Sequence, residues 1–352
     1  MGGGFSAIAG CAAGLLAAAL VSSRAVPAGS PNTALRSMDL DVPPIVWPIS
    51  FDTAEADGIC AAIELLPRDN ALRTRIDQWP LHPNSRALVN AVGAAKPLRV
   101  NTDMAFVIVP ADQKRVPVRI VDYADESDPG PFPIPDAIPI EGWPVEFREE
   151  GSKATLAQVQ RRPAEYESDR HAIVLDPGNR RLHEFFNFGR TSTGWAANQA
   201  STFELSSNRL RPEGWTSADA AGLPILPLVV RHDEFARGSV DHALRVTVRR
   251  TRKAFVYPAT HSASRFEEAN LPRMGERFRL RRDFDVSGFS KGARAILEGL
   301  KAYGMVVADN GIEWAVSTTP DPRNPDIHEE LRRVKGSDFE VVVAPPGWRR
   351  PR

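Results

Sequence analysis

The sequence is poor in cysteine, with Cys11 and Cys60 as the 2 cysteines among its 352 residues. Cys11 lies in an apolar N-terminal segment that we expect to be removed, which leaves Cys60 alone in the mature chain. A single cysteine excludes an internal disulfide bond and a zinc site built on cysteines. The hydrophobic core must therefore hold the fold, and a chain of this length can form a core of sufficient size.

The sequence also lacks an excess of charge of either sign. Lys and Arg together number 44, as do Asp and Glu, so the formal net charge is zero. A neutral chain has no overall electrostatic attraction for nucleic acid or for an anionic membrane surface, so neither is an expected partner. Methionine and tyrosine are scarce, whereas the 30 prolines indicate many turns and extended segments rather than a helical bundle.

Three common catalytic motifs are missing as well. Ser217 lacks the Gly-x-Ser-x-Gly pattern of a nucleophile elbow, and residues 189–194 lack the glycine spacing of a phosphate-binding loop. Five of the 7 histidines lie between His171 and His261, but none has a partner at the spacing of a His-Glu-x-x-His motif. We therefore predict neither a metal site nor a cofactor, and metal ligands that converge only in space are the weaker alternative.

The first 28 residues have most features of a signal peptide. Residues 5–21 are small and apolar without a charge, and Val26 and Ala28 occupy the positions of a small-residue cleavage site. The n-region lacks Lys and Arg, and lipidation at Cys11 or at the N-terminal glycine is a competing interpretation. An uncleaved membrane anchor is another, because about 20 apolar residues can span a bilayer. We expect a secreted or periplasmic protein that meets a membrane only through this segment.

The remaining sequence predicts a single domain. Residues 29–50 are aperiodic and read as a linker, residues 51–345 as one β-rich domain, and residues 346–352 as a tail. Within the domain, the proline-dense residues 127–147 are expected to form an extended surface segment.

An acidic cluster precedes and enters that proline-dense segment. Several carboxylates close in sequence are typical of a calcium site, but this cluster lacks the spaced glycine and terminal glutamate of a known calcium loop. A solvated turn is the preferred interpretation, and a bound cation is the alternative. The cluster consists of Asp122, Asp125, Glu126 and Asp128.

Alternating apolar residues predict strands through most of the domain. Residues 171–176 and 181–188 flank a Pro-Gly-Asn turn and predict a hairpin. Residues 305–316 predict a second hairpin around Asn310-Gly311, and residues 339–343 are apolar enough for a central strand. In residues 241–251, the apolar positions alternate with arginines that are expected on the opposite face.

One long amphipathic helix is predicted to follow Ser290, which can cap it, and to end near Gly304. Short helical additions are predicted at residues 57–66, 70–78 and 325–334. Many strands around one long helix favour a mainly β fold. We predict a β-sandwich, with the jelly roll as one form that it can take.

Three runs of the sequence resemble an uncharacterised family of secreted bacterial proteins. These runs are residues 211–227, which include Gly-Trp-Thr-Ser-Ala-Asp-Ala-Ala-Gly-Leu-Pro-Ile-Leu-Pro, residues 241–247 and residues 303–311. The similarity extends over about residues 45–343. The resemblance implies a single exported unit, and it implies no activity and no catalytic residues.

The candidate site lies in residues 208–261, where a long loop of varied side chains adjoins β-patterned runs. Rigid strands that present such a loop are typical of binding and active sites. The catalytic candidates are Asp219, Asp233, Glu234, His242 and His261, and the substrate-binding candidates are Trp195, Asn208, Arg211, Trp215 and Tyr257.

Glycoside hydrolysis is the first chemistry that these residues support. The reaction needs one protonated and one ionised carboxyl group, which Asp219 with Asp233 or Glu234 would supply. Trp195 and Trp215 would stack on sugar rings. The structural alternative is that Asp219 caps a turn and that the other two carboxylates are solvated.

A polysaccharide lyase is the second enzymatic candidate. His242, with Tyr257 and His261 on a neighbouring strand, would supply the base, and nearby arginines would neutralise a uronate. A histidine buried in the core is the alternative interpretation, and a non-catalytic carbohydrate-binding module would use the same tryptophans. We thus predict an exported glycoside hydrolase that acts on an extracellular polysaccharide, ahead of a lyase or a binding module, with no indication of its oligomeric state.

Overall fold

The computed structural model of the protein describes residues 44–144, 154–161 and 169–350. The predicted signal segment, most of the linker, part of the proline-dense segment and the last two residues lie outside this range. Among the residues described, no helix has both the length and the apolar character needed to cross a membrane.

The first sheet contains the predicted hairpin. It has five strands in the spatial order β1 (Ile49–Ser50), β3 (Val107–Ile108), β5 (Ala172–Asp176), β6 (Arg181–Phe186) and β9 (Gln199–Glu204). β5 and β6 are antiparallel with Asp176 opposite Arg181, so the hairpin prediction is confirmed. Asn179 stabilises the turn, because its backbone and side-chain N–H groups both donate to the Asp176 carboxylate.

The second sheet has six strands and supports the candidate site. Their spatial order is β14 (Phe339–Val342), β11 (Arg277–Leu280), β12 (Met305–Asn310), β10 (Leu244–Val248), β13 (Ala315–Thr318) and β2 (Arg99–Thr102). β10 is parallel to β12 and antiparallel to β13. β13 and β2 are also parallel.

Two predictions about this sheet are wrong. β12 and β13 do not form a hairpin, because β10 lies between them. The Gly311 N–H donates to the Val248 carbonyl at 3.0 Å, so the connection crosses the end of β10 instead of turning tightly. β14 is an edge strand rather than a central one, and its apolar residues are covered by helix α2 (Ser85–Val92) and the core beneath it.

The third sheet has three strands, in the order β4 (Val118–Ile120), β8 (Gly194–Ala197) and β7 (Gly189–Thr191). The helices are α1 (Ala54–Ala62), α2 (Ser85–Val92), α3 (Leu156–Arg161), α4 (His232–Arg237), α5 (Lys291–Ala302) and α6 (His328–Leu331). α5 is the predicted amphipathic helix. Ser290 caps it by accepting the Ala293 N–H, and its apolar face packs in the core of the six-stranded sheet.

The predicted β-sandwich is wrong, because the fold is mixed α/β. All three sheets combine parallel and antiparallel pairs, and four pairs are parallel: β10 with β12, β13 with β2, β3 with β5, and β4 with β8. Parallel strands need long crossover connections, which here join segments far apart in the chain. The alternation of side chains along a strand reports its two faces and carries no information about which strand lies beside it.

Candidate functional site

A cavity of about 980 Å³ is walled on one side by the six-stranded sheet. Strands β2, β10, β12 and β13 contribute to it, together with residues 321–328 and residues around the start of β5. We call it the acidic cavity, because its acidic lining residues outnumber the basic ones. The acidic residues are Asp103, Glu141, Asp169, Asp309, Asp321 and Asp326, and the basic or titratable ones are His171, Arg245 and His328.

A second cleft, beside α2 and β14, is slightly larger at about 1170 Å³. Its charged residues include the ion pair between Arg281 and Asp283, whose side chains are 50% and 72% exposed. Exposed ion pairs of this kind are screened by water and contribute little to stability or binding. The acidic cavity is the better candidate, because four charged or titratable residues of its lining are buried, namely Asp103, His171, Arg245 and Asp321.

Strand β10 presents charged and polar side chains to the acidic cavity. Arg245 and Thr247 line the cavity, while the alternate residues of β10 pack in the core. The predicted alternation is confirmed for residues 244–248, and Arg245 on the arginine face is buried, whereas Arg249 lies beyond the strand and is exposed. Arg245 donates from Nε and Nη2 to both oxygens of Asp219, at 2.8 and 2.6 Å, and from Nη1 to Ser317 at 2.7 Å. These bonds compensate for the burial of its charge.

A β-bulge in β12 directs Asp309 to the same side. Val246 lies opposite Val307, but the next residue of β10, Thr247, lies opposite Asp309. Ala308 is therefore an extra residue. Because one residue of shift reverses which face a side chain occupies, Asp309 comes to the cavity side of the sheet in the place that Ala308 would have had.

Asp309 is held in its neutral form at pH 7. Burial raises the pKa of its carboxyl group to about 8, and the negative charge of Asp219 adds to the effect. The positive charges of Arg245 and His171 oppose it without cancelling it. The Asn310 N–H donates to Asp309 Oδ1 at 2.6 Å, a bond that a neutral carboxyl group can still accept.

His171 carries a positive charge at the wall of the cavity. Its Nδ1 lies 3.2 Å from Glu141 Oε2 and its Nε2 lies 3.0 Å from the Ala218 carbonyl. Both partners are acceptors, so both ring nitrogens must carry protons. Burial disfavours this charged form, but Glu141, Asp169 and Asp219 together raise the pKa of His171 to about 10.

The positive charge of His171 also acts on two further carboxyl groups, those of Glu141 and Asp169. Burial opposes the ionisation of Glu141, but the charge of His171 and its hydrogen bonds lower the pKa of Glu141 below the usual value. Burial raises the pKa of Asp169. The positive charge of His171 acts against this rise, and the negative charge of Glu141 increases it. The acidic cavity thus combines a carboxyl group that is neutral at pH 7 with one that is ionised.

The loop of residues 208–222 supports the cavity from outside it. Asp219 is fully buried and each of its oxygens accepts a hydrogen bond from Arg245, so it contributes charge but is closed to a substrate by burial. The Ala221 N–H donates to the Ala308 carbonyl at 2.8 Å, which attaches the loop to the bulge. His261 lies beside the loop, where its Nδ1 is 2.7 Å from the Ala220 carbonyl.

Part of the acidic cluster anchors this loop. Arg211 donates to the carboxylate of Asp128, to the Glu126 carbonyl at 2.7 Å and to the Thr216 carbonyl at 2.7 Å. The Thr216 N–H donates to Glu126 Oε2 at 2.6 Å. Interpreting the cluster as a solvated turn is therefore wrong for Glu126 and Asp128. Within residues 44–144, 154–161 and 169–350, no group of three or more His, Cys, Asp or Glu is arranged to hold a metal ion.

Three of the predicted substrate-binding residues, Asn208, Arg211 and Tyr257, line one small cavity of about 40 Å³, whereas the two tryptophans do not. Trp195 is buried in the three-stranded sheet, where it stacks on Phe188 with ring centroids 4.9 Å apart, so it offers no face to a sugar. Trp215 lies in the loop, with the Arg211 guanidinium 5.5 Å from its ring. Asn208 hydrogen-bonds Asn70 and Asp69. Tyr257 also lines another cavity, beside β11.

Three of the predicted catalytic residues form a separate buried network. Asp233 and Glu234 on α4 line or adjoin a cavity of about 380 Å³, where Glu234 Oε1 lies 3.0 Å from His242 Nε2. Arg231 and Arg237 pair with both carboxylates. Burial opposes the ionisation of Glu234, but the charges of Arg231 and His242 lower its pKa to about 2.

This network corrects the predicted residue pairs. Asp219 binds Arg245 and lines neither this cavity nor the acidic cavity, so it does not share a cavity with Asp233 or Glu234 as the hydrolase prediction required. The predicted lyase arrangement is also absent from the described residues, because the segment that carries Tyr257 and His261 is not a strand beside His242.

The residues that line the acidic cavity were missed for identifiable reasons. Asp309 was interpreted as part of a hairpin turn, and His171 as the first residue of a hairpin. Glu141 and Asp169 lie in segments without periodicity. Comparisons with protein-family models, with curated proteins and with solved structures found no match for this chain.

Proposed function

We propose that the acidic cavity hydrolyses a glycosidic bond, with Asp309 as the proton donor and Asp169 as the ionised partner. The observation that carries the proposal is the arrangement of charges in one cavity: burial and the charges of Asp219 and Asp169 keep Asp309 neutral at pH 7, while the charge of His171 favours the ionised form of Asp169. Carboxyl groups whose surroundings force their pKa values apart are the usual basis of acid and base roles in glycoside hydrolysis.

Each residue has a distinct role in this proposal. Asp309 protonates the leaving oxygen, because it holds a proton at neutral pH. Asp169 lines the same cavity, and the charge of His171 favours its ionised form against burial, so it acts as the nucleophile or as the base that activates water. Glu141 and His171 are positioning residues. Their ion pair fixes the charge beside Asp169 and holds the loop through the Ala218 carbonyl.

The lining favours neutral sugars. The excess of acidic residues would repel a uronate, which argues against a lyase acting in this cavity. Hydroxyl groups of a neutral sugar need neutral donors and acceptors, and the cavity walls supply them. These side chains are Asn101, Thr102, Thr247, Asn310, Thr318 and Asn324. Together with the N-terminal segment, this supports an extracellular neutral polysaccharide or oligosaccharide as the substrate.

The proposal is tested by measuring reducing ends and the ultraviolet absorbance of unsaturated uronates across neutral, amino-sugar and uronate polymers. We expect reducing ends from a neutral polymer, without absorbance, and a loss of at least about 100-fold in Asp309→Asn and in Asp169→Asn. Asp326→Asn is the matched control, because Asp326 lies exposed at the rim of the same cavity. It should retain wild-type activity.

Two further measurements separate the roles of Asp309 and Asp169. Asp309→Asn should keep most of its activity on an aryl glycoside whose leaving group needs no proton, since only protonation is lost. Asp169→Ala should regain activity with added azide, which replaces the missing carboxylate. Absorbance that rises on uronate polymers would indicate a lyase instead. Binding of a polymer without turnover would favour the carbohydrate-binding module.

A further inference from the structure

A separate cavity of about 260 Å³ lies away from the acidic cavity, beside β11 and the C-terminal segment. Three aromatic side chains line it: Trp79, Tyr257 and Trp348. Trp348 contacts both others, with ring centroids 5.4 Å from Trp79 and 5.8 Å from Tyr257. We call it the aromatic cavity. Arg277 of β11 also lines it.

Arg277 is buried without a counter-ion. The residue is only 5% exposed. Its Nη1 donates to the Ala71 carbonyl at 3.2 Å, and its Nη2 donates to the Tyr303 carbonyl at 2.6 Å. Its Nε–H has no acceptor in the part of the chain that the structure describes. Burial lowers the pKa of Arg277 to about 10. A buried guanidinium that lacks an anion is costly and rare.

The next arginine on the same side of β11 shows what is missing. Arg279 is equally buried, and its Nε and Nη2 both donate to the carboxylate of Glu340. Arg245 binds Asp219 through the same two nitrogens. This edge of the guanidinium matches the two oxygens of a carboxylate. Among the described residues, no carboxylate pairs with that edge of Arg277.

The lining of the aromatic cavity does not supply the anion either. Glu276 is the acidic residue among its described lining residues, and its carboxylate binds Arg273 at 2.9 and 3.1 Å. Arg350 adds another positive charge, with its guanidinium 4.6 Å from the Tyr257 ring. The cavity therefore combines positive charge with aromatic walls.

We propose that the aromatic cavity binds a small carboxylate that carries one ring. The carboxylate would bind the Nε edge of Arg277, and the ring would pack against Trp79, Tyr257 and Trp348. The volume is below the range of about 300–1,000 Å³ that is usual for drug-sized ligands, so it fits a single ring. Aromatic acids and sugar acids share this chemistry, and benzoate and glucuronate represent them.

The test is a titration of the full-length protein with benzoate and with glucuronate, by calorimetry and by tryptophan fluorescence. The neutral controls are benzyl alcohol and glucose. We expect one of the acids to bind at least about 10-fold more tightly than its neutral control, because a charge-assisted bond to a buried guanidinium is lost with the charge. The acid that binds identifies the source.

A matched pair of variants tests the role of Arg277. Lysine keeps the charge but loses the two-pronged edge, so Arg277→Lys should weaken binding about 10- to 100-fold, whereas Arg279→Lys should leave it unchanged. Trp348→Ala leaves Arg277 intact and should weaken the ring acid more than it weakens acetate. Circular dichroism checks that each variant is folded.

Three results would overturn the proposal. These are failure of both acids to bind the wild type, equal affinity for acids and neutral controls, and unchanged binding of the acid in both Arg277→Lys and Trp348→Ala. None of these results depends on activity in the acidic cavity, so this proposal and the glycosidase proposal can fail separately.

Discussion

Replacing Asp309 with asparagine should make the protein more stable at neutral pH. The wild-type carboxyl group keeps its proton in the fold, since its pKa rises from the ordinary 3.8 to about 8 on burial. The unfolded chain ionises freely above pH 3.8. The contribution of Asp309 to the free energy of unfolding should therefore fall as the pH rises from about 4 to 8. Asparagine cannot ionise, and its oxygen can still accept the Asn310 N–H.

The size of the effect follows from the pKa shift. At pH 7 the unfolded chain has gained from ionisation over about three pH units, each worth about 1.4 kcal/mol, which sets an upper limit of about 4 kcal/mol. Asp309 borders a cavity that water can enter, so screening reduces this value, and about 2 kcal/mol is the expected gain at pH 7. At pH 4 the gain should be close to zero.

The measurement is urea unfolding of the wild type, Asp309→Asn and Asp326→Asn at pH 4, 5, 6, 7 and 8. The difference between Asp309→Asn and the wild type should grow steadily with pH, while the control Asp326→Asn should follow the wild type. A difference that stays constant with pH would refute the reasoning, because it would mean that Asp309 ionises normally in the fold. No substrate is needed, so the result is independent of the proposed activity.

Three other predictions concern the support of the acidic cavity and the core. His171→Gln should be less stable than the wild type below pH 6.5, and the difference measured by urea unfolding should shrink as the pH approaches 10. The reason is that His171, whose pKa is raised in the fold, stabilises the fold only while its ring is charged. Gly222→Ala should lower the melting temperature and cost about 1–3 kcal/mol of stability, because Gly222 has φ of +75° and an added Cβ would lie 2.0 Å from Thr260 Oγ1. An unchanged melting temperature in this variant would contradict the prediction. Ser290→Ala should cost about 1 kcal/mol in urea unfolding through the lost cap, whereas Ser290→Asp should not.

Local features of the fold could be predicted from the sequence. The β5–β6 hairpin was predictable because its turn residues and its two apolar runs are adjacent in the chain. α5 was predictable because Ser290 and the helical spacing of apolar residues are local signals as well. The pairing of β10 with β12 and β13 was not predictable from the same signals. Each strand is apolar on one face, and many partners satisfy that pattern equally well.

The acidic cavity was missed because its key residue depends on a bulge. If β12 continued past Val307 without the bulge, Ala308 would lie opposite Thr247 and Asp309 would lie on the other face from Arg245. The bulge is stabilised by a residue that is distant in the sequence, since Ala308 accepts the N–H of Ala221. A pattern read along one strand cannot include that contact.

The loop that the sequence singled out was the correct region for the wrong reason. It does not line the acidic cavity, but three consecutive parts of it determine the state of the cavity. Ala218 binds His171, Asp219 binds Arg245, and Ala221 holds the bulge. Asp219 also raises the pKa values of Asp309 and His171 through its charge. Apart from Asp219, residues 216–222 of the loop are small, and short side chains let this part of the backbone approach the sheet closely.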